Sequence, residues 1–170
     1  MSEINKILVP VDGSKAAEKA LEYASWIANK FGAHVTLLYV VDVEQLGLTY
    51  EAMDHYLPEW EDKIKGTEDI KRYSPFFEEQ LACRMDEPLC KRGSNVLKEM
   101  AKYAEGKGIK PKTVMKMGKV VDTIVQEAED DKADVIVVGK TGLTGLRRLL
   151  IGHVAEDVAR YAHCRVTVVP

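Results

Sequence analysis

The chain carries no large charge of one sign. Its 24 Lys+Arg and 27 Asp+Glu leave a formal net charge of −3, so no overall basic field exists to attract nucleic acid or an anionic membrane surface. Long hydrophobic runs are missing as well: stretches such as 35–41 and 135–138 fall far short of the ~18–20 residues that cross a bilayer. The opening MSEINKILVP lacks a charged segment followed by an apolar one, so export is not expected and a cytoplasmic location is. Cysteine is scarce. Cys83, Cys90 and Cys164 make an odd set, and Cys83 and Cys90 have no Cys or His companions at zinc-finger spacing. A disulfide framework and a structural metal are both poor readings, which leaves ordinary thiols or a regulatory pair.

What is present suits a globular domain. With 46% apolar and 30% charged residues, 170 residues can bury one core under a mixed surface, and a single domain over 1–170 is expected. Residues 7–11 form a β-branched run that stops at Asp12-Gly13-Ser14, the composition of a strand ending in a turn. Ser14 can cap a helix in which Ala17, Ala20, Leu21, Ala24, Ile27, Ala28 and Phe31 share one apolar face, with Gly32 as its stop. Residues 35–41 are then a second, near-continuous apolar strand, as expected where both faces of a parallel sheet are covered.

The second half repeats the alternation. Leu97, Met100, Ala101 and Ala104 mark a helix, 113–117 a strand, Val121, Ile124, Val125 and Ala128 a helix, and 135–138 a buried strand. Val154, Val158 and Tyr161 mark a last helix before a strand over 165–169. Five strands with intervening helices and right-handed crossovers predict a doubly wound α/β sandwich, a parallel sheet with helices on both faces.

The pattern breaks over 43–92. This stretch holds Pro58, Pro75 and Pro88 and six of the twelve aromatics, Tyr50, Tyr56, Trp60, Tyr73, Phe76 and Phe77. A structureless loop of that length is uncommon in a compact domain, so a helical insert after strand two is expected, with Pro58 and Pro75 opening or breaking its helices. An arm on its own domain, a lid over a ligand and a dimer contact are all open readings of it.

The segment from Gly139 to Val154 follows a buried strand and leads into a helix, and it is rich in glycine. Glycine there permits positive φ and close approach of a ligand, and a following helix N-terminus attracts an anion such as phosphate. Gly139-Lys140-Thr141 imitates the end of a P-loop, but that motif needs glycine at 134, where Asp134 stands. A dinucleotide-binding G-x-G-x-x-G fails on spacing and follows the wrong strand. The spacing that fits is G-x2-G-x9-G, met by Gly139, Gly142 and Gly152.

In this motif the chain resembles the universal stress protein family. Lys6-Ile7-Leu8-Val9-Pro10-Val11-Asp12-Gly13-Ser14 is similar to that family's first strand and turn, and Cys164-Arg165-Val166-Thr167-Val168-Val169-Pro170 to its closing strand. The resemblance implies ATP or AMP at the carboxyl ends of strands one, two and four of a sheet ordered 3-2-1-4-5. It puts Pro10, Val11 and Asp12 beside adenine and ribose, Val40 or Val41 against the base, and Gly139 by the ribose. Gly142, Gly152, His153 and Val154 would offer backbone amides to the phosphates, with Lys140, Arg147 and Arg148 adding positive potential. The family pattern has Ser or Thr where this chain has His153, a larger group that donates one hydrogen bond when neutral. Asp12 either meets the nucleotide or an accompanying Mg²⁺ indirectly, or belongs to the helix cap.

Catalysis finds little support. An ATP pyrophosphatase of the related adenine-nucleotide α-hydrolases would need S-G-G-x-D-S after strand one, and Asp12-Gly13-Ser14-Lys15 lacks the paired glycines. A phosphoacceptor domain would need an acidic pair there and an aspartate closing strand three, where Met117-Gly118 stand. The expectation is an adenine-nucleotide-binding regulatory or stress-response protein in which ATP hydrolysis is at most a slow by-product. The alternative is an interaction module that binds an unknown protein partner and whose nucleotide is structural. The apolar last strand, Val166, Val168 and Val169, would lie at a sheet edge and invite a homodimer, which the resemblance also implies.

Overall fold

The computed structural model describes residues 4–42, 88–141 and 151–170. Most of the 43–92 insert, with Cys83 and its six aromatics, lies outside the described residues. In chain order the elements are β1 (Lys6–Pro10), α1 (Lys15–Phe31), β2 (His34–Asp42), α2 (Pro88–Gly106), β3 (Lys112–Gly118), α3 (Val120–Asp130), β4 (Val135–Gly139), α4 (His153–Tyr161) and β5 (Arg165–Val169). All strands pair in parallel in the order β3-β2-β1-β4-β5, as anticipated.

Side chains alternate across the central strands and divide the core into two layers. On one face Ile7, Val9, Val35, Leu37, Val135 and Val137 meet α1 and α2, including Leu21, Leu97 and Met100. On the other, Leu8, Leu38 and Ile136 meet Ile124 and Ala128 of α3 and Val158 of α4. The near-continuous apolar strands read in the sequence are thus wet on neither side.

Local signals hold α1 as expected. The Ser14 hydroxyl oxygen accepts from the Ala17 N–H at 3.2 Å. At the other end Gly32 turns left-handed at φ 71°, where its lack of a side chain avoids strain, and its N–H donates to the Ala28 carbonyl. The apolar face is shorter than its periodicity predicts. Phe31 is 57% exposed because the helix ends beyond the sheet's cover, and on α4 Tyr161 and Val154 are 56% and 37% exposed. Only Ala155 and Val158 of that nine-residue helix are buried, since it lies toward the sheet edge and has little surface to meet. Helix α2 begins at Pro88, so the last five residues of the expected insert are already helical, with proline at the first helical position where its missing N–H costs nothing.

Two polar clusters fix the strand ends. Lys116 on edge strand β3 reaches the buried Glu127 carboxylate of α3 at 2.6 Å and Asp130 at 3.4 Å. Burial disfavours the Lys116 charge, but these two carboxylates outweigh it and hold the ammonium above its ordinary value. Asp134, at the site where a P-loop would need glycine, accepts from the Asn5 and Lys6 N–H groups at 2.8 and 2.9 Å, joining the start of β4 to the start of β1. Those two amides hold its carboxyl below the usual value.

A group depressed in the folded state contributes stability that is complete above its unfolded value and is lost as pH falls through the folded one. Asp134→Asn is expected to lower stability by about 1 kcal/mol at pH 7, with the gap to wild type narrowing below about pH 4. Urea denaturation across that range tests it; a gap constant down to pH 2 contradicts it.

Candidate functional site

The chain leaves β1 for β2 on one side and later returns to β4 on the other. The sheet therefore has its switch point at the carboxyl ends of β1, β2 and β4, where a crevice opens between the two sets of loops. A cleft of ≈ 310 Å³ lies there, at the small end of the ~300–1,000 Å³ typical of ligand pockets. Pro10, Val11, Asp12, Val40, Val41, Gly139, Lys140, Gly152, His153 and Val154, all singled out in the sequence, line it together. Gly142, Arg147 and Arg148 lie outside the described residues.

The floor is built from strand ends. Pro10 closes β1, and the next residue's N–H, that of Val11, still donates to Leu38 at 2.8 Å, which keeps the two strand ends in register past the last pair. Asp12 then turns the chain: its Oδ1 accepts from the Ser14 N–H at 2.9 Å. The carboxylate therefore shapes the turn with one oxygen and has a second for the cleft.

Gly139 is needed for a reason other than the one anticipated. It does not take a positive φ. A Cβ there would stand 2.6 Å from the backbone carbon and oxygen of Ala16, so the end of β4 and the start of α1 touch backbone to backbone. The following residue is pinned on both sides: the Lys140 N–H donates to Val169 at 2.7 Å, and its carbonyl accepts from the Gly152 N–H at 2.6 Å. That bond corrects the role expected of Gly152. Its amide serves the loop closure and is not offered to a phosphate, and its φ of −67° needs no glycine. The tight quantity is space, since a Cβ at Gly152 would lie 3.0 Å from the Lys140 carbonyl oxygen.

The amides aimed outward are those after it. Gly152 caps α4 without a side-chain hydrogen bond, and Glu156 is the first residue of the helix to donate back, to the Gly152 carbonyl at 3.0 Å. His153, Val154 and Ala155 therefore present N–H groups that no helical carbonyl can satisfy, at the positive end of the dipole. The His153 side chain, 88% exposed, turns down its own helix, with Nδ1 3.0 Å from Asp157 Oδ2.

Several lining residues were not singled out in the sequence, Ala155 among them. Tyr39 and Asp42 flank the expected Val40 and Val41, Val120 opens α3, and Arg92 reaches the cleft from α2. Burial pushes the Tyr39 phenol above its ordinary value; the Arg92 charge opposes this and the Asp12 charge adds to it. Arg92 was hidden because it falls in the stretch read as insert; Pro88 as a helix-opening proline was the signal that could have brought it out.

Comparison with known proteins bears on the family and the fold. The profile described as the universal stress protein family matches residues 3–170. The universal stress protein MJ0531 of Methanocaldococcus jannaschii is 39% identical over 165 residues, which cover 96% of this chain and 81% of that one. Universal stress protein UspA from Lactobacillus plantarum has a TM-score of 0.68 at 26% identity, covering 100% of both chains. The universal stress protein from Archaeoglobus fulgidus in complex with dAMP shares the fold, with a TM-score of 0.61 at 19% identity over 99% of this chain and 100% of that one.

The contact between β4 and α1 gives the site its own prediction. Gly139→Ala should destabilise the fold by about 1–3 kcal/mol through overpacking against the Ala16 backbone. An unchanged urea midpoint would show that α1 can withdraw freely and that the cleft does not depend on this contact.

Proposed function

The chain belongs to the universal stress protein family, and from that premise we propose that it binds an adenine nucleotide, ATP or AMP, in the cleft over β1, β2 and β4. The observation that carries this reading is that the ten described residues the family resemblance marks out line one cleft at the switch point, with a helix N-terminus at its rim. The dAMP held by the Archaeoglobus fulgidus relative supports it through likeness of fold.

In this reading Pro10, Val11, Val40 and Val41 give the base an apolar wall, while Asp12 and Gly139 border the ribose. The N–H groups of His153, Val154 and Ala155 take the phosphate, helped by the helix dipole and the Lys140 charge. Gly152 contributes closeness instead of an amide. Gly142, Arg147 and Arg148 keep the roles that the family resemblance gives them. Among the described residues no group of three or more His, Cys, Asp or Glu side chains forms. An accompanying Mg²⁺ would therefore rest mainly on the ligand's phosphates and water, with the second oxygen of Asp12 as an indirect partner. Binding, with hydrolysis at most slow, is the activity; the cytoplasm is its place and regulation its purpose.

We also propose a homodimer through β5. Among the described residues that strand pairs only with β4, and its partly buried valines, Val169 packed on one face of the sheet and Val166 on the other, make an apolar edge strand that a second copy can extend. Light scattering at micromolar concentration should give twice the chain mass, and a monomer would overturn this part alone.

Calorimetric titration tests the nucleotide. ATP or AMP should saturate one site per chain. Gly152→Val should weaken it five- to thirtyfold, roughly 1–2 kcal/mol, by crowding Lys140 and Thr141. No binding by folded wild-type protein, or an unaltered affinity in the variant, contradicts the assignment.

A further inference from the structure

Helix α2 crosses the sheet on the α1 face, over β2 and β3, as closely as a helix backbone can. At Gly93 a Cβ would stand 2.6 Å from the Tyr39 ring and 2.9 Å from the Met115 sulfur, so only glycine lets the helix ride on that ring. This contact fixes Arg92, the preceding residue, at the mouth of the cleft on the β2 side. Helix α4 presents its amides from the other side, beyond β4. Strands lie about 4.8 Å apart, so β2 and β4, the strands bordering the two positive features, stand two spacings or about 10 Å apart, with β1 between them.

One phosphate cannot bridge that distance, but a nucleoside carrying its phosphate at α4 extends back across it. We infer that Arg92 is a ligand-contacting residue for the nucleoside end of the nucleotide, its guanidinium lying against the base or ribose, and that it makes α2 a wall of the site. The inference rests on the nucleotide reading above. The carboxylates facing the same region are Asp12, with one oxygen in the Ser14 turn, and Asp42 at the end of β2. A planar, permanently charged guanidinium suits this position because it can stack on a base face while donating in its own plane, which an ammonium cannot do.

The test compares adenosine, AMP and ATP by calorimetry on wild type, Arg92→Ala and Arg92→Lys, with thermal melting of each unliganded protein. Arg92 is exposed, so the three proteins should melt alike. Arg92→Ala should lose about five- to tenfold in affinity, by the same factor for all three ligands, and Arg92→Lys should recover little of it. A loss that grows from adenosine to AMP to ATP would make Arg92 a phosphate contact and overturn the inference while leaving the nucleotide reading intact. Equal affinities in all three proteins would overturn it too. If wild type binds none of the three, the nucleotide reading fails and the Arg92 assignment falls with it.

Discussion

The backbone of β4 touches the backbone of α1 at Gly139 and Ala16, and the cleft exists because of that contact. In a doubly wound sheet the loops after neighbouring strands splay to opposite faces, which opens a crevice, but the crevice is useful only if its walls come close. Here the missing Cβ brings the Asp12 turn and the Lys140 segment against each other. Lys140 is then held by the hydrogen bond it donates to β5 on one side and the one it accepts from the α4 cap on the other. A single small residue thus sets the position of three elements that approach a ligand.

The electrostatics follow from this arrangement. A chain of net charge −3 has no global attraction for a nucleotide, so affinity for an anion must be built locally. In the proposed reading the fold does so with dipoles and fixed charges at the rim, the start of α4 and Lys140 on one side and Arg92 on the other. Between them lie apolar strand ends and two carboxylates, Asp42 and Asp12, the latter half occupied by its own turn. Such a site favours a ligand that is flat and apolar in one part and anionic in another.

Much of this was legible in the sequence because the signals were local. Ser14 and Gly32 mark the ends of α1 by their own chemistry, and strands buried on both faces need no alternation to be recognised. The glycine spacing that carries the family resemblance also brought the cleft residues together. What was not legible depended on neighbours distant in the chain. Phe31, Val154 and Tyr161 keep helical spacing yet face water, since periodicity records side chains and not the surface they are to meet. The Gly152 amide belongs to Lys140, twelve residues earlier, a bond no spacing rule reveals. Gly93 and Arg92 gain their roles only from the Tyr39 ring beneath them.

The central claim is that a nucleotide lies over the ends of β1, β2 and β4 with its phosphate on α4. Backbone amide chemical shifts recorded by NMR during titration with AMP test it most directly. The account predicts saturable changes concentrated at Val11, Asp12, Val40, Val41, Gly139 and His153 through Ala155, with the largest downfield shifts in the three helix amides. Changes confined to another surface, such as the exposed aromatic face of α1 at Tyr23 and Trp26, would contradict it, as would a spectrum that AMP leaves unaltered.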